Sequence, residues 1–243
     1  MESSAKFYTS KVVRARDSFF RSYKATDDTT KQLILKAVGH LNKNKSGKLL
    51  DIGTGNGYVL SEVCKLLKNI LEKEMVGVDL SKEMVKEAQN RNNGLSQIKI
   101  IQGDNYELPF ADNYFDVVTN KLATNFSFSE VFRVLKKGGL FIFKEYGLFK
   151  GFGGITEIFE SRMKITDPLQ YLELLRGEKP HSFSYTQYYF DKKYGRKEIV
   201  DIFSMAPIIK DFDPQSDMKK MDKLFASDEV SVVADPFLIT AIK

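Results

Sequence analysis

Asp51, Gly53, Gly55 and Gly57 set an acid and three glycines at alternate positions, directly after the apolar residues Leu49 and Leu50. Glycine lets the backbone take φ > 0 and lets a ligand approach the main chain where a Cβ would obstruct it. A buried strand running into such a turn is a platform for a flat or extended nucleoside-type ligand. The spacing separates the variants of that chemistry. The dinucleotide fingerprint requires a glycine three positions after the second one, and Tyr58 stands there; the phosphate loop of nucleoside triphosphatases requires Gly-Lys-Ser/Thr, which is absent. A nicotinamide dehydrogenase is therefore a remote alternative.

Two further acids close apolar runs. Met75-Val76-Gly77-Val78-Asp79-Leu80 ends in an acid that can accept both hydroxyls of a ribose, and Ser81 then supplies N-cap chemistry to a helical stretch through Met84, Val85 and Ala88. Ile98-Lys99-Ile100-Ile101-Gln102-Gly103-Asp104 is a third such run, followed by Asn105 and the turn Leu108-Pro109-Phe110. Tyr114-Phe115-Asp116-Val117-Val118 leads into a helix holding Val131, Val134 and Leu135, and then into Lys136-Lys137-Gly138-Gly139-Leu140-Phe141-Ile142-Phe143. Open α/β sheets bind ligands at the carboxyl ends of their strands, where all three acids fall.

Taken in order, these segments resemble the class I S-adenosylmethionine-dependent methyltransferases, closely over residues 48–146 and more loosely over the last fifty or so. Within that superfamily the chain looks most like the small-molecule branch that includes the ubiquinone and menaquinone biosynthesis methyltransferases. The resemblance implies a Rossmann-like, doubly wound α/β fold with a seven-stranded sheet, its last strand antiparallel between the fifth and sixth. It implies S-adenosyl-L-methionine as cofactor and S-adenosyl-L-homocysteine as product. Asp51, Gly53, Gly55 and Gly57 would surround the methionine moiety, Asp79 with Leu80 beside it would meet the ribose, and Asp104 with Asn105 the adenine. Asn120-Lys121 stands where nucleobase-amino methyltransferases carry an Asn/Asp-Pro-Pro-aromatic motif. Its absence argues against an exocyclic amine of DNA or RNA as acceptor.

A sulfonium methyl is already activated, so proximity and orientation carry most of the catalysis, by in-line displacement onto a small-molecule acceptor. A hydroxyl or protonated amine acceptor would need a base. Of the two histidines, His40 falls late in a helix on the expected surface, which leaves His181 as the candidate. Tyr185, Tyr188 and Tyr189 could line the acceptor pocket or stabilise a cation by π contacts, or simply pack a lid. Lys121 could meet an anionic acceptor or face water. Cys64 alternates with Leu60, Val63, Leu67 and Leu71 and reads as core. No zinc-ligand cluster occurs, so no metal is expected.

These residues need a frame. The chain has 243 residues, 42% of them hydrophobic, enough for a sizeable core, and no run long enough to cross a bilayer. One cysteine excludes an internal disulfide framework, and no apolar signal segment opens the chain, so a cytoplasmic location is expected. The net charge of +5 comes from 37 basic and 32 acidic residues that are largely interspersed, which disfavours nucleic acid as partner. The basic, aromatic segment 6–24 reads as a cap helix; as an RNA contact it would support a tRNA or rRNA methyltransferase instead. A non-catalytic binder of S-adenosylmethionine is the remaining alternative. Strands alternating with helices imply a parallel sheet covered on both faces. The expected layout is an N-terminal helical cap at 1–46, a cofactor-binding core at 47–150, an inserted lid at 151–194, and the rest of the core at 195–243, with a sixth strand at 207–210 and a seventh at 236–242.

Overall fold

The computed structural model describes residue 12 and residues 27–163, 167–206, 208–225 and 228–243. The expected cap helix at 6–24 lies, Val12 apart, outside the described residues.

Helix α1, Asp28–Leu41, starts where the Asp27 side chain accepts the backbone N–H of Thr30. It buries Leu33, Ile34, Ala37, Val38 and Leu41, the three-and-four spacing of one helix face. Strand β1, Lys48–Ile52, follows, with Leu49, Leu50 and Ile52 wholly buried. Each such side chain contributes about 1.5–3 kcal/mol by leaving water. Then come α2 (Tyr58–Leu66), β2 (Glu74–Asp79), α3 (Lys82–Arg91), β3 (Ile98–Gln102), β4 (Phe115–Lys121), α4 (Phe128–Val134) and β5 (Leu135–Tyr146). Ser81 caps α3 by accepting the N–H of Met84, as its position predicts. After α5 (Pro168–Gly177) and β6 (Ser182–Gln187), the chain ends in β9, Pro236–Ile242.

Among the described residues, seven strands form one sheet in the order β3-β2-β1-β4-β5-β9-β6. β1 to β5 are parallel, and β9 runs antiparallel between β5 and β6. One face carries α1, α2 and α3 through a core that includes Leu33, Leu49, Leu60, Ala88 and Ile142. The other carries α4 and α5 through Phe128, Val131, Tyr171 and Leu175 against Phe141, Phe143 and Phe237.

The sixth strand is Ser182–Gln187, not residues 207–210. Ile209 is buried in a separate cluster and makes only an isolated bridge to Met163. The segment 182–187 alternates polar and aromatic residues because it is an edge strand: Tyr185 packs on Phe237 at 5.4 Å, while Phe183 stays partly exposed beneath Arg176. The expected lid boundaries move accordingly. Residues 168–187 belong to the main sheet and its covering layer. A separate unit is built from residues 148–163, β7 (Phe190–Gly195), α6 (Arg196–Met205), α7 (Pro214–Met221) and β8 (Glu229–Ala234). β7 and β8 pair antiparallel over a third core that includes Phe152, Phe159, Ile199, Phe203 and Val232. The chain enters this unit from the carboxyl ends of β5 and β6, so the unit stands at the end of the sheet where ligands bind. Asp235 joins the two parts, accepting the N–H groups of Phe149 and Gly151, each at 2.8 Å.

Candidate active site

The three glycines of the loop after β1 have φ of 59°, 56° and 72° at Gly53, Gly55 and Gly57, and their surroundings divide them into two kinds. A Cβ on Gly53 would lie 2.2 Å from the Ala123 methyl, and one on Gly57 would lie 2.4 Å from Asn92 Nδ2 on the turn ending α3. At Gly55 a Cβ would meet no atom within 4 Å, so this peptide presents an open face. Gly53 and Gly57 therefore seat the loop against its neighbours, and Gly55 is where a ligand can approach the main chain.

Asp79, at the end of β2, is built into this loop. Its Oδ2 accepts the Gly55 N–H at 2.8 Å and its Oδ1 the Ser81 N–H at 3.0 Å. One carboxylate thus ties the glycine loop to the start of α3. Asp51 lies beneath the loop, 1% exposed, accepting the hydroxyls of Thr54 and Thr119 at 2.7 Å each. Burial pushes its pKa up to about 6 although both hydroxyls and Lys121 favour the charged form. Asp51 thus braces the glycine loop from below through the Thr54 hydroxyl.

Further along the carboxyl edge, Leu80 is 40% exposed beside Asp79. Asp104 is exposed and accepts the Tyr106 N–H at 2.9 Å. Asn105 is buried; its Nδ2 donates to the Asn125 carbonyl at 3.3 Å, and its Oδ1 has no hydrogen-bond partner among the described residues. A buried acceptor left without a donor costs about 1–3 kcal/mol, which a bound N–H group would recover. The structure therefore gathers Gly53, Gly55, Gly57, Asp79, Leu80, Asp104 and Asn105 along one edge of the sheet.

The acceptor side departs further from expectation. The backbone N–H of His181 donates to the Ile242 carbonyl at 2.9 Å, at the start of β6. Because β6 is parallel to β5, His181 sits at the amino end of the sheet, opposite the glycine loop, and cannot serve as a base there. The three tyrosines also separate. Tyr185 packs on the core under α4 and α5 and donates its hydroxyl to Gln187 Oε1; Tyr188 packs against the opposite core; Tyr189 is 66% exposed. They form no common aromatic box. Lys121, at the end of β4, does lie at the carboxyl edge, aligned with Lys144 on β5.

Sequence reasoning missed the neighbours of Lys121. Lys144 is 1% exposed and pairs with Asp27 at 2.9 Å, and the Tyr146 hydroxyl donates to the same carboxylate oxygen at 3.4 Å. Glu145, 5% exposed on the other face of β5, has its pKa raised by burial. Acids and lysines inside an otherwise apolar strand, in Phe143-Lys144-Glu145-Tyr146, were the available signal.

A parallel sheet with one antiparallel strand beside its edge, a glycine loop after β1 and acids at the end of β2 and after β3 make a Rossmann-like α/β fold. Residues 50–143 match the family described as a methyltransferase domain. The demethylmenaquinone methyltransferase of Porphyromonas gingivalis is 34% identical over 112 residues, covering 42% of this chain and 45% of that protein. The malonyl-[acyl-carrier protein] O-methyltransferase of Marinomonas sp. is 29% identical over 146 residues, covering 58% and 53%. The chain thus spans about half the length of these curated relatives. Phosphoethanolamine N-methyltransferase 2 of Haemonchus contortus, solved with S-adenosyl-L-methionine, shares the fold at a TM-score of 0.64 and 19% identity, over 97% of this chain and 57% of that one.

Proposed function

We propose that the chain transfers a methyl group from S-adenosyl-L-methionine to a small-molecule acceptor. The observation that carries this reading is the edge formed by the open Gly55 peptide, the Asp79 clasp and the unpartnered Asn105 Oδ1. Those groups suit a ribonucleoside bearing an amino acid: a glycine turn for an extended chain, an acid for a diol, exposed Leu80 for a flat ring, and a buried acceptor for an amino group. When bound, the cofactor supplies an activated methyl on sulfur. The chain's own residues hold it, orient the acceptor and exclude water, with the 148–163 and 190–234 unit as the roof. A cytoplasmic setting agrees with the free thiol of Cys64, and no described helix is long and apolar enough to cross a membrane.

Calorimetry with S-adenosylhomocysteine, and NAD as control, tests the cofactor. Binding of S-adenosylhomocysteine alone is expected, weakened in Asp79→Ala by about 1–3 kcal/mol, roughly 5- to 150-fold. Absence of binding by folded protein, or unchanged affinity in the variant, overturns the assignment. Labelled methyl transfer to a demethylmenaquinol analogue, a malonyl thioester and phosphoethanolamine then tests the acceptor.

A further inference from the structure

The loop that carries Asp104 and Asn105 leaves β3 beside Asp79, whose carbonyl accepts the Gly103 N–H at 3.0 Å. From there to residue 112 it has no strand or helix of its own. Such a segment keeps one shape only where other elements hold its backbone.

The holds come from α4 and the residues just before it. The Asn105 carbonyl accepts the Ser127 N–H at 3.2 Å, and Asn105 Nδ2 donates to the Asn125 carbonyl. The Leu108 N–H donates to Glu130 Oε2 at 2.8 Å. Arg133, three residues along α4, donates through Nη2 to the Leu108 carbonyl at 2.9 Å, and through Nη1 to the Phe110 carbonyl at 2.7 Å and to Asp112 Oδ1 at 2.9 Å. The same guanidinium grips Glu130 as a fork, Nε to Oε1 at 2.7 Å and Nη2 to Oε2 at 2.8 Å, and holds that carboxyl below its usual pKa. Every N–H of the guanidinium is therefore engaged. An ion pair within one helix ordinarily braces the helix alone, but here three of the guanidinium bonds end on the loop. Asn105 Oδ1, buried without a donor, lies on the loop so held, and a displacement of about 1 Å is enough to spoil a hydrogen bond made there.

We propose that Glu130 and Arg133 are positioning residues for the cofactor: from α4 they fix loop 104–112 so that Asp104 and Asn105 meet the amino group of the adenine, and they thereby set the preference for that base. The inference rests on the methyl-transfer reading and deepens its cofactor site.

Calorimetry compares S-adenosylhomocysteine with S-inosylhomocysteine, whose base carries a carbonyl oxygen in place of the amino group. The proteins are wild type, Arg133→Gln and, as a control for one lost positive charge, Lys137→Gln at an exposed position. Wild type and Lys137→Gln should prefer S-adenosylhomocysteine by about tenfold or more, because a carbonyl facing the carboxylate and the amide oxygen leaves all three without a donor. Arg133→Gln should lose that preference, binding S-adenosylhomocysteine about tenfold more weakly and S-inosylhomocysteine within about twofold of wild type. A parallel fall for both nucleosides marks a role in folding alone and overturns the proposal, as does a preference that survives in Arg133→Gln. Equal binding of the two nucleosides by wild type overturns it as well, while failure of S-adenosylhomocysteine to bind wild type overturns the methyl-transfer reading beneath it. Hydrogen exchange on wild type needs no variant: at equal saturation S-adenosylhomocysteine should slow exchange of the Leu108 amide more than S-inosylhomocysteine does, and equal protection refutes the coupling of the pair to the base.

Discussion

Replacing Asp51 by Asn should stabilise the protein at neutral and alkaline pH, although it alters the acid of the glycine-loop motif. Asp51 is 1% exposed, and burial raises its pKa from 3.8 to about 6. Between those values the folded protein holds a proton that the unfolded chain releases. The stability this group contributes is therefore complete below about pH 4 and is lost as pH rises through about 6. A shift of about two units corresponds to about 3 kcal/mol. Asn carries no charge to desolvate and can keep both threonine contacts, because a hydroxyl accepts as readily as it donates. The Thr119 hydroxyl already has the Leu50 carbonyl at 3.4 Å to receive its proton. The gain over wild type should be near zero at pH 4 and grow to about 3 kcal/mol at pH 8, up to roughly 10 °C in Tm for a domain of this size. Urea denaturation of both proteins from pH 4 to 8 measures the difference directly. A variant less stable than wild type at pH 8, or a difference that does not change with pH, refutes the reasoning. If the charge serves the ligand, the more stable variant will also bind S-adenosylhomocysteine more weakly.

Gly57→Ala should cost about 1–3 kcal/mol in urea denaturation, since φ is 72° and its Cβ would meet Asn92 Nδ2 at 2.4 Å. Gly55→Ala shares the positive φ, at 56°, but its Cβ meets no atom within 4 Å, so it should unfold at higher urea than Gly57→Ala while losing more S-adenosylhomocysteine affinity; the opposite ranking would contradict the division of roles in the loop. His181→Ala should leave S-adenosylhomocysteine affinity and the pH profile of methyl transfer unchanged, because His181 lies at the amino end of the sheet. Loss of the acidic limb of that profile would reinstate it as the base.

The glycine loop and the acids at the strand ends were legible because each of those signals is local. An apolar strand buried on both faces reads as a continuous run, and the glycines and acids stand within a few residues of its end. The cluster around Lys144 was not, because its contacts join distant parts of the chain. Asp27 and Lys144 are 117 residues apart, and nothing around either announces the other. Strand β6 escaped for a different reason. Ser182-Phe183-Ser184-Tyr185-Thr186-Gln187 alternates at the period of a half-covered strand, but its position among aromatics suggested a lid, and the apolar pair Ile208-Ile209 drew the strand assignment away. Ile208 and Ile209 belong to the third core. β7 carries Asp191, Lys192 and Lys193, a composition that masks a strand whose inward face is Phe190, Lys192 and Tyr194.

The clasp at Asp235 has an architectural consequence. The chain leaves the main sheet at Gln187 and returns at Pro236, and these two points adjoin: Gln187 is in register with Phe237, Gln187 Nε2 donates to the Asp235 carbonyl at 2.6 Å, and the Tyr188 N–H donates to the Pro236 carbonyl at 2.9 Å. β7, α6, α7 and β8 therefore hang from the closed end of a β-hairpin as from a ring, while residues 148–163 reach the same core separately from β5. A short turn across that ring would complete the hairpin and leave the register of the seven strands untouched. The glycine loop and its acids thus lie on a length of chain separate from β7 to β8, so that unit can be rebuilt without redrawing them.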